Sequence, residues 1–242
     1  MTTSAGDAWK AASLVKKYLD GIRGAIPLAA EQIEMMLRLV AASGVEIKRV
    51  LDLGAGGGAI SLAVLDRFPG AHITLVDFSE AMLEQACGAV PAEQSRVILA
   101  DLADPTWTAN VEGPFDAIVS GYAIHHLVDD RKRGLYAEVF GLLRPRAIFI
   151  NVEHVSSASD WLVHQFDEML TDSLHAHQQA IGSGLTRDEV ASEYVHRPDK
   201  HANILAPVDD QCAWLRDAGF QDVDCYFKVL ELAVFGGRKP TG

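Results

Sequence analysis

The sequence predicts an α/β protein with a doubly wound, mostly parallel sheet, in which strands and helices alternate along the chain. Two observations predict it. The β-prone segment 50–53 leads into a glycine turn, and an apolar helical stretch that contains Ile60 and Leu65 follows at once. The apolar segment 73–76 then ends at Asp77. A strand, a glycine turn and a helix in this order form the nucleotide-binding corner of a doubly wound sheet.

The organisation of the whole chain is that of one domain, 1–242. Helical spacing of Ile33, Met36, Leu37 and Val40 predicts a helix that begins near Pro27 and ends near Ser43-Gly44. We expect four parts: an N-terminal arm and helix over 1–45, a ligand-binding core over 48–152, a helical insertion over 156–206, and a C-terminal helix and strand pair over 208–238.

The glycine turn itself is Asp52-Leu53-Gly54-Ala55-Gly56-Gly57-Gly58. Glycine allows a positive φ and lets a ligand approach the backbone closely. A dinucleotide site would need glycines spaced G-x-G-x-x-G, but Ala59 stands where the third would fall when counted from Gly54. The turn has no basic residue for a phosphate, and the acidic Asp52 favours a cationic ligand.

Asp77 follows the glycine turn by about 20 residues, the position from which an acidic side chain accepts the hydroxyls of a ribose. Ser79 is placed to cap a helix that runs through Met82. Together the turn and the acidic strand end predict a nucleoside-binding site.

The motif from Asp52 to Gly58 resembles the acidic-x-G-x-G-x-G motif of class I S-adenosylmethionine (SAM) dependent methyltransferases, and the resemblance covers about residues 50–152. It implies a Rossmann-like, seven-stranded, mostly parallel sheet, with an N-terminal helical arm and a helical insertion after strand five. It implies SAM as the cofactor, with ribose at Asp77 and adenine at Asp101 and Leu102. The implied cofactor-binding residues are Asp52, Gly54, Ala55, Gly56, Asp77, Phe78, Met82, Asp101, Leu102 and Ser120, the last at the methionine end.

Later segments keep the spacing of this family. The segment 98–102 resembles its third strand end, 115–120 its fourth strand and 148–152 its fifth. The turn at 142–147 departs from the family's L-L-x-P-G-G pattern, because Arg146 and Ala147 replace the two glycines. If this turn needs a left-handed residue, Arg146 carries a strain of about 1 kcal/mol.

Methyl transfer is an in-line displacement that needs an aligned nucleophile and, for some acceptors, a base. Candidate catalytic residues after strands four and five are His126, Glu153 and His154. Alternatively, a histidine of the His125-His126-Leu127 stretch packs or caps a helix, and proximity alone carries the reaction. We expect the acceptor to contact Tyr122 and His125, with Tyr18 and Arg23 closing over it. The insertion would add Trp161 and Phe166, so that a semi-enclosed pocket takes a compact, polar small molecule.

Composition limits the partners. A net charge of −12 disfavours nucleic acid, and the sequence has neither a membrane-length apolar run nor a signal-like start. The cysteines Cys87, Cys212 and Cys225 are far apart in sequence, which predicts reduced, buried thiols in a cytoplasmic protein. The histidines lack metal-ligand spacing, so no metal is predicted. A homodimer stays open.

Two alternatives to a small-molecule methyltransferase stay open. The flanks around 185–189, 203–208 and 214–220 resemble the end of carboxy-SAM synthase. In that family an arginine pairs with the carboxylate of carboxy-SAM, and Trp214 stands at its place here, which favours ordinary SAM as the donor. Trp214 is otherwise a buried core residue. The second alternative is a SAM-binding partner or regulatory subunit without turnover.

Overall fold

A computed structural model describes residues 25–195 and 203–241. Seven strands form one sheet in the order β3-β2-β1-β4-β5-β7-β6. The strands are β1 Arg49–Leu53, β2 His72–Asp77, β3 Ser95–Leu99, β4 Phe115–Gly121, β5 Leu143–His154, β6 Gln221–Val229 and β7 Leu232–Arg238. The helices are α1 Ala29–Ala42, α2 Ala59–Arg67, α3 Glu80–Ala89, α4 Asp129–Leu142, α5 Asp160–Ala180, α6 Arg187–Val190 and α7 Val208–Asp217. The predicted doubly wound sheet is confirmed.

The sheet is parallel from β3 to β5, and β7 runs antiparallel to both of its neighbours. The chain first builds β1, β2 and β3 outward on one side and then crosses over to place β4 on the other side of β1. Ligands of such sheets bind beyond the carboxyl ends of the strands where the order reverses. That point lies between β1 and β4, directly above the glycine turn.

Helices cover both faces of the sheet. One apolar cluster packs α1, α2 and α3 on the first face, and the predicted stripe of Ile33, Met36, Leu37 and Val40 is buried in it. A second cluster packs α4 and α7 on the other face, with Trp214 inside it. Trp214 is therefore a core residue, and the guanidinium of Arg133 lies 4.8 Å from the centroid of its ring.

The predicted insertion is helical in the part that the structure describes. It contains α5, α6 and a single turn of π-helix at Ala191–Val195. Leu174, Val190 and Val195 bury against Ala25 in a small third cluster. Within 25–195 and 203–241, no helix combines the length and the apolar character that crossing a bilayer requires.

The cysteines differ from the prediction in one respect. Cys212 is buried and Cys225 is half-buried, but Cys87 is exposed on the solvent face of α3. Burial raises the pKa of the Cys212 thiol to about 12, and burial also raises the pKa of Cys225. Both thiols are therefore protonated and unreactive at neutral pH, whereas the Cys87 thiol is open to solvent.

Arg146 adopts the left-handed conformation that the lost glycine would favour, with φ of 68°. It lies in an irregular stretch of β5, between the pairs Phe115–Leu143 and Ala117–Ile148. Its amide donates to the Lys239 carbonyl at 2.9 Å, and the Lys239 amide donates to Ala147 at 2.8 Å. These two backbone bonds hold Arg146 in its strained conformation.

We expect Arg146→Gly to raise the free energy of unfolding by about 0.5–1 kcal/mol, because relief of the left-handed strain exceeds the added freedom of glycine in the unfolded chain. Arg146→Ala is the matched control, since it removes the side chain but keeps a Cβ at the strained position. Urea unfolding measures both variants. A glycine variant no more stable than the alanine variant would contradict this account of the turn.

Candidate functional site

The glycine turn brings the backbone to the carboxyl end of β1. Gly54, Gly56 and Gly58 have φ of 66°, 52° and 83°, which side-chain-bearing residues rarely adopt. A Cβ added at Gly54 would lie 2.1 Å from the Cβ of Ala123. The amides of Gly54 and Ala55 both donate to the Val76 carbonyl, at 2.8 and 3.0 Å. The turn is thus tied to β2 and packed closely under the loop after β4.

The carboxylate of Asp77 at the end of β2 holds this turn. One oxygen accepts the Gly56 amide at 2.8 Å and the other accepts the Ser79 amide at 2.9 Å. Ser79 in turn accepts the Met82 amide at 3.4 Å, so it caps α3 as predicted. A carboxylate has about four lone-pair sites, so Asp77 can keep both backbone bonds and still accept hydroxyls from a ligand.

A cavity of about 650 Å³ opens above the carboxyl ends of the central strands. Its size suits a small-molecule or cofactor site. It runs from the loops after β2 and β3 to the loop after β4. Its lining is Gly54, Gly56, Asp77, Phe78, Ser79, Met82, Asp101, Leu102, Ala103, Tyr122, Ala123, His126 and Leu127.

Three of the residues predicted to bind the cofactor do not line this cavity. Asp52 is fully buried and accepts the Ser61 hydroxyl at 2.7 Å. Ser120 is also fully buried, and its hydroxyl donates to the Leu53 carbonyl at 2.8 Å, so it does not reach the methionine end as we expected. Ala55 belongs to the turn itself and is buried. Asp52 and Ser120 make buried contacts to α2 and β1 instead of facing the cavity.

The other end of the cavity is formed by the loop after β4. Tyr122 has φ of 55°, and its hydroxyl donates to the side-chain oxygen of Gln32 at 2.7 Å. His126 is exposed and lines the cavity, with its ring centroid 4.0 Å from that of His125. Tyr18 and Arg23, predicted to close over the acceptor, lie outside the described residues.

His125 points away from the cavity and into a buried ion pair. Its Nδ1 lies 2.6 Å from one carboxylate oxygen of Glu153, and its amide donates to the other oxygen at 3.1 Å. The His154 amide adds a bond of 2.9 Å. Burial raises the pKa of Glu153, but the charge and hydrogen bond of His125 and the His154 amide outweigh burial and hold the pKa below its ordinary value of 4.5.

We expected Glu153 and His154 at the mouth of the pocket, and the structure shows that this placement is wrong. Glu153 is fully buried. The Nε2 of His154 lies 2.7 Å from Glu231, which is 4% exposed, and its ring stacks near Phe166 with centroids 5.1 Å apart. Strand β7 pairs with β5 as far as His154, and neither Glu153 nor His154 lines the cavity. Phe166 is buried here, and Trp161 is 68% exposed away from the lining.

The segment after the insertion holds the histidine loop in place. The Ile204 amide donates to the His125 carbonyl at 2.8 Å. The Ile204 carbonyl accepts from the buried ammonium of Lys132 at 2.5 Å, and Lys132 also pairs with Asp129 at 2.7 Å. The backbone of one residue, Ile204, thus links α4 to the histidine loop.

Sequence reasoning missed Gln32 and Glu231. Gln32 occupies a polar position inside the apolar stripe of α1, where a buried amide needs partners, and this was a usable signal. Glu231 has no such signal, because its partner His154 comes from a strand 77 residues away.

Over 25–195 and 203–241, no group of three or more histidine, cysteine, aspartate or glutamate side chains could hold a metal ion.

Parts of this chain are similar to known methyltransferases. Residues 50–146 match the family model of a methyltransferase domain. Over 88 residues the chain is 40% identical to the malonyl-[acyl-carrier protein] O-methyltransferase of Geobacter sulfurreducens, covering 36% of this chain and 32% of that protein. The chain therefore spans about a third of the length of that relative. Residues 50–146 are therefore similar to a methyltransferase domain.

Two further comparisons extend beyond that domain. The chain is 27% identical over 226 residues to the carboxy-S-adenosyl-L-methionine synthase of Aeromonas hydrophila, covering 90% of this chain and 84% of that protein. The magnesium protoporphyrin IX methyltransferase of Synechocystis PCC 6803, solved with bound S-adenosylhomocysteine (SAH), has a TM-score of 0.58 at 16% identity, covering 97% of this chain and 93% of that one. This chain shares the fold of that SAH-bound enzyme.

The Glu153–His125 pair makes the free energy of unfolding depend on pH in the acid range. Because the pKa of Glu153 is lower in the folded protein, its contribution is complete above the ordinary value of 4.5 and is lost as pH falls through the folded value. We expect Glu153→Gln to remove this dependence and to cost about 3–5 kcal/mol at pH 7, because His125 loses its buried partner.

Urea unfolding between pH 7 and pH 3 measures the difference. Glu46→Gln is the control, because Glu46 pairs with Lys48 at the exposed surface, where ion pairs contribute little. Parallel stability curves for Glu153→Gln and the wild type would contradict the lowered pKa of Glu153.

Proposed function

We propose that this chain transfers the methyl group of SAM to a compact small-molecule acceptor within the cavity above β1 and β4. The observation that carries the proposal is that a single cavity has residues suited to the cofactor at one end and residues suited to the acceptor at the other. Asp77 and Asp101 line one end, and Tyr122 and His126 line the other.

The lining residues fit SAM. Asp77 would accept the ribose hydroxyls, and Asp101 and Leu102 would hold the adenine. Gly54 and Gly56 have no side chains and so leave room for the ligand to approach the backbone of the turn. The described lining contains two carboxylates and no lysine or arginine, which suits a cationic ligand. When bound, SAM supplies an electrophilic methyl group on a positively charged sulfur.

His126 is the histidine placed to move a proton. It is exposed at the cavity wall, so its ring can receive the proton that an acceptor hydroxyl or amine loses. Glu153 and His154 would not contact the acceptor. They would act indirectly by holding the loop next to His126, since Glu153 binds both the ring and the amide of His125. Tyr122 would orient the acceptor, and closure of the loops around it would bring the reacting groups together.

The acceptor is a small molecule rather than a polymer on this proposal. The cavity must hold cofactor and acceptor together within about 650 Å³, which leaves limited room for the acceptor. A net charge of −12 argues against nucleic acid. Cytoplasmic location and a homodimer stay predictions.

Synthesis of carboxy-SAM is a second candidate, because similarity to the Aeromonas hydrophila carboxy-SAM synthase extends over 90% of this chain. The described residues argue for ordinary SAM. Trp214 lies in the core and not in the cavity, and no cation of the described lining could pair with an added carboxylate. Native mass spectrometry of the purified protein separates the two: SAM or SAH supports methyl transfer, and a carboxylated nucleoside supports the second candidate.

We expect Asp77→Asn to weaken SAH binding by about 1.5–3 kcal/mol, because the ribose hydroxyls lose a charged acceptor and the Asn side-chain nitrogen cannot accept one of the two backbone amides that Asp77 binds. Isothermal titration calorimetry measures the change. Asp104→Asn is the matched control, since Asp104 also accepts a backbone amide, from Thr106 at 2.8 Å, but lies outside the cavity lining. Equal SAH affinity in Asp77→Asn and the wild type would rule out ribose binding by Asp77.

We expect His126→Ala to lower kcat by about 10²–10⁴, with SAH affinity unchanged, if His126 removes the acceptor proton. Turnover is measured with the acceptor that co-purifies with the protein. His164→Ala on the exposed part of α5 is the control and should leave kcat unaltered. Full activity of His126→Ala would show that His126 is not the base. Proximity and alignment of the reacting groups would then have to account for the rate.

A further inference from the structure

Two residues with side chains adopt left-handed backbone near the same buried amide. Leu28, just before α1, has φ of 57°, and Tyr122, just after β4, has φ of 55°. Such conformations are strained for residues with side chains and persist where the surrounding structure fixes them, often at functional sites.

Gln32 is the buried amide that contacts both places. It is fully buried within α1. Its nitrogen donates to the carbonyl of Pro27, the residue before Leu28, at 3.0 Å. Its oxygen accepts the hydroxyl of Tyr122 at 2.7 Å. Since a buried amide is costly unless its groups are bonded, both bonds are needed for this residue to sit in an apolar stripe.

Tyr122 is the part of this chain of contacts that reaches the cavity. Its ring lines the 650 Å³ cavity on one side. It also lines a cavity of about 20 Å³ next to Ile33 and Ile60 on the other. The ring therefore forms the partition between the cavity and the packing of α1. The next residue, Ala123, packs directly over Gly54, where an added Cβ would lie 2.1 Å away.

We propose that Gln32 is a positioning residue, which fixes Tyr122 and thereby shapes the end of the cavity that takes the amino-acid part of SAM. This rests on the proposed function, in which Asp77 and Asp101 hold the adenosine. Those two residues follow β2 and β3, whereas Tyr122 follows β4 on the other side of β1. The two ends of the ligand therefore meet different walls.

The test compares two probes by calorimetry: SAH, and 5′-methylthioadenosine, which shares the adenosine and lacks the amino-acid part. Gln32→Met keeps the length of the side chain and removes both hydrogen bonds. We expect it to weaken SAH binding about tenfold and to leave 5′-methylthioadenosine within about twofold. Tyr122→Phe removes the same bond from the other side and should give the same selective loss.

The double variant should bind SAH no more weakly than Gln32→Met alone, because Gln32→Met already removes the bond that Tyr122→Phe removes. Gln211→Met is the matched control. Gln211 is likewise buried, accepts the Tyr136 hydroxyl at 2.6 Å and donates to the Ala206 carbonyl at 3.2 Å, but lies away from the cavity. It should lose stability without a selective loss of SAH affinity.

Each outcome decides the matter. Equal weakening of both probes in Gln32→Met, or a similar selective loss in Gln211→Met, would show a general structural effect and overturn the positioning role. Unchanged binding in both Gln32→Met and Tyr122→Phe would overturn it as well, while leaving the cofactor assignment intact. Failure of the wild type to bind SAH would overturn the proposed function and this inference together. Should Gln32→Met not fold, Tyr122→Phe carries the same comparison.

Discussion

The bond between the Asp77 carboxylate and the Gly56 amide is the contact on which the site depends. Asp77 ends β2, and the glycine turn ends the neighbouring β1, so one side chain fixes two strand ends. Its second oxygen binds the Ser79 amide and so sets the start of α3. A turn of glycines has no side chains to hold it, and without this carboxylate its conformational freedom would oppose ligand binding.

The acidic residues of this region fall into two groups, one at the cavity surface and one buried. Asp77 and Asp101 remain at the cavity surface, where they can meet a ligand. Glu153 and Glu231 are buried, and each is compensated by a histidine. Buried carboxylates are tolerated because these partners and backbone amides replace water. The buried pairs lie outside the cavity lining, and among the described lining residues His126 is the histidine.

Local sequence predicted the parts that local physics determines. The glycine turn, Asp77 and the Ser79 cap followed from residue type and spacing, and the stripe of α1 followed from its period. The positions of Glu153 and His154 could not be predicted, because they depend on β7 pairing beside β5, and the partner Glu231 is remote in sequence. Ser120 was misplaced for a related reason. Its residue type suits a ligand contact, but its side chain points to the Leu53 carbonyl on β1.

A crystal structure of the protein with SAH tests the central claim most directly. The account predicts the ribose hydroxyls within hydrogen-bond distance of the Asp77 carboxylate, the adenine beside Leu102, and the sulfur near the loop that contains Tyr122. It also predicts that the bond from Gly56 to Asp77 is kept in the complex. SAH bound elsewhere, or a carboxylate of Asp77 that contacts the two amides and no part of the ligand, would contradict it.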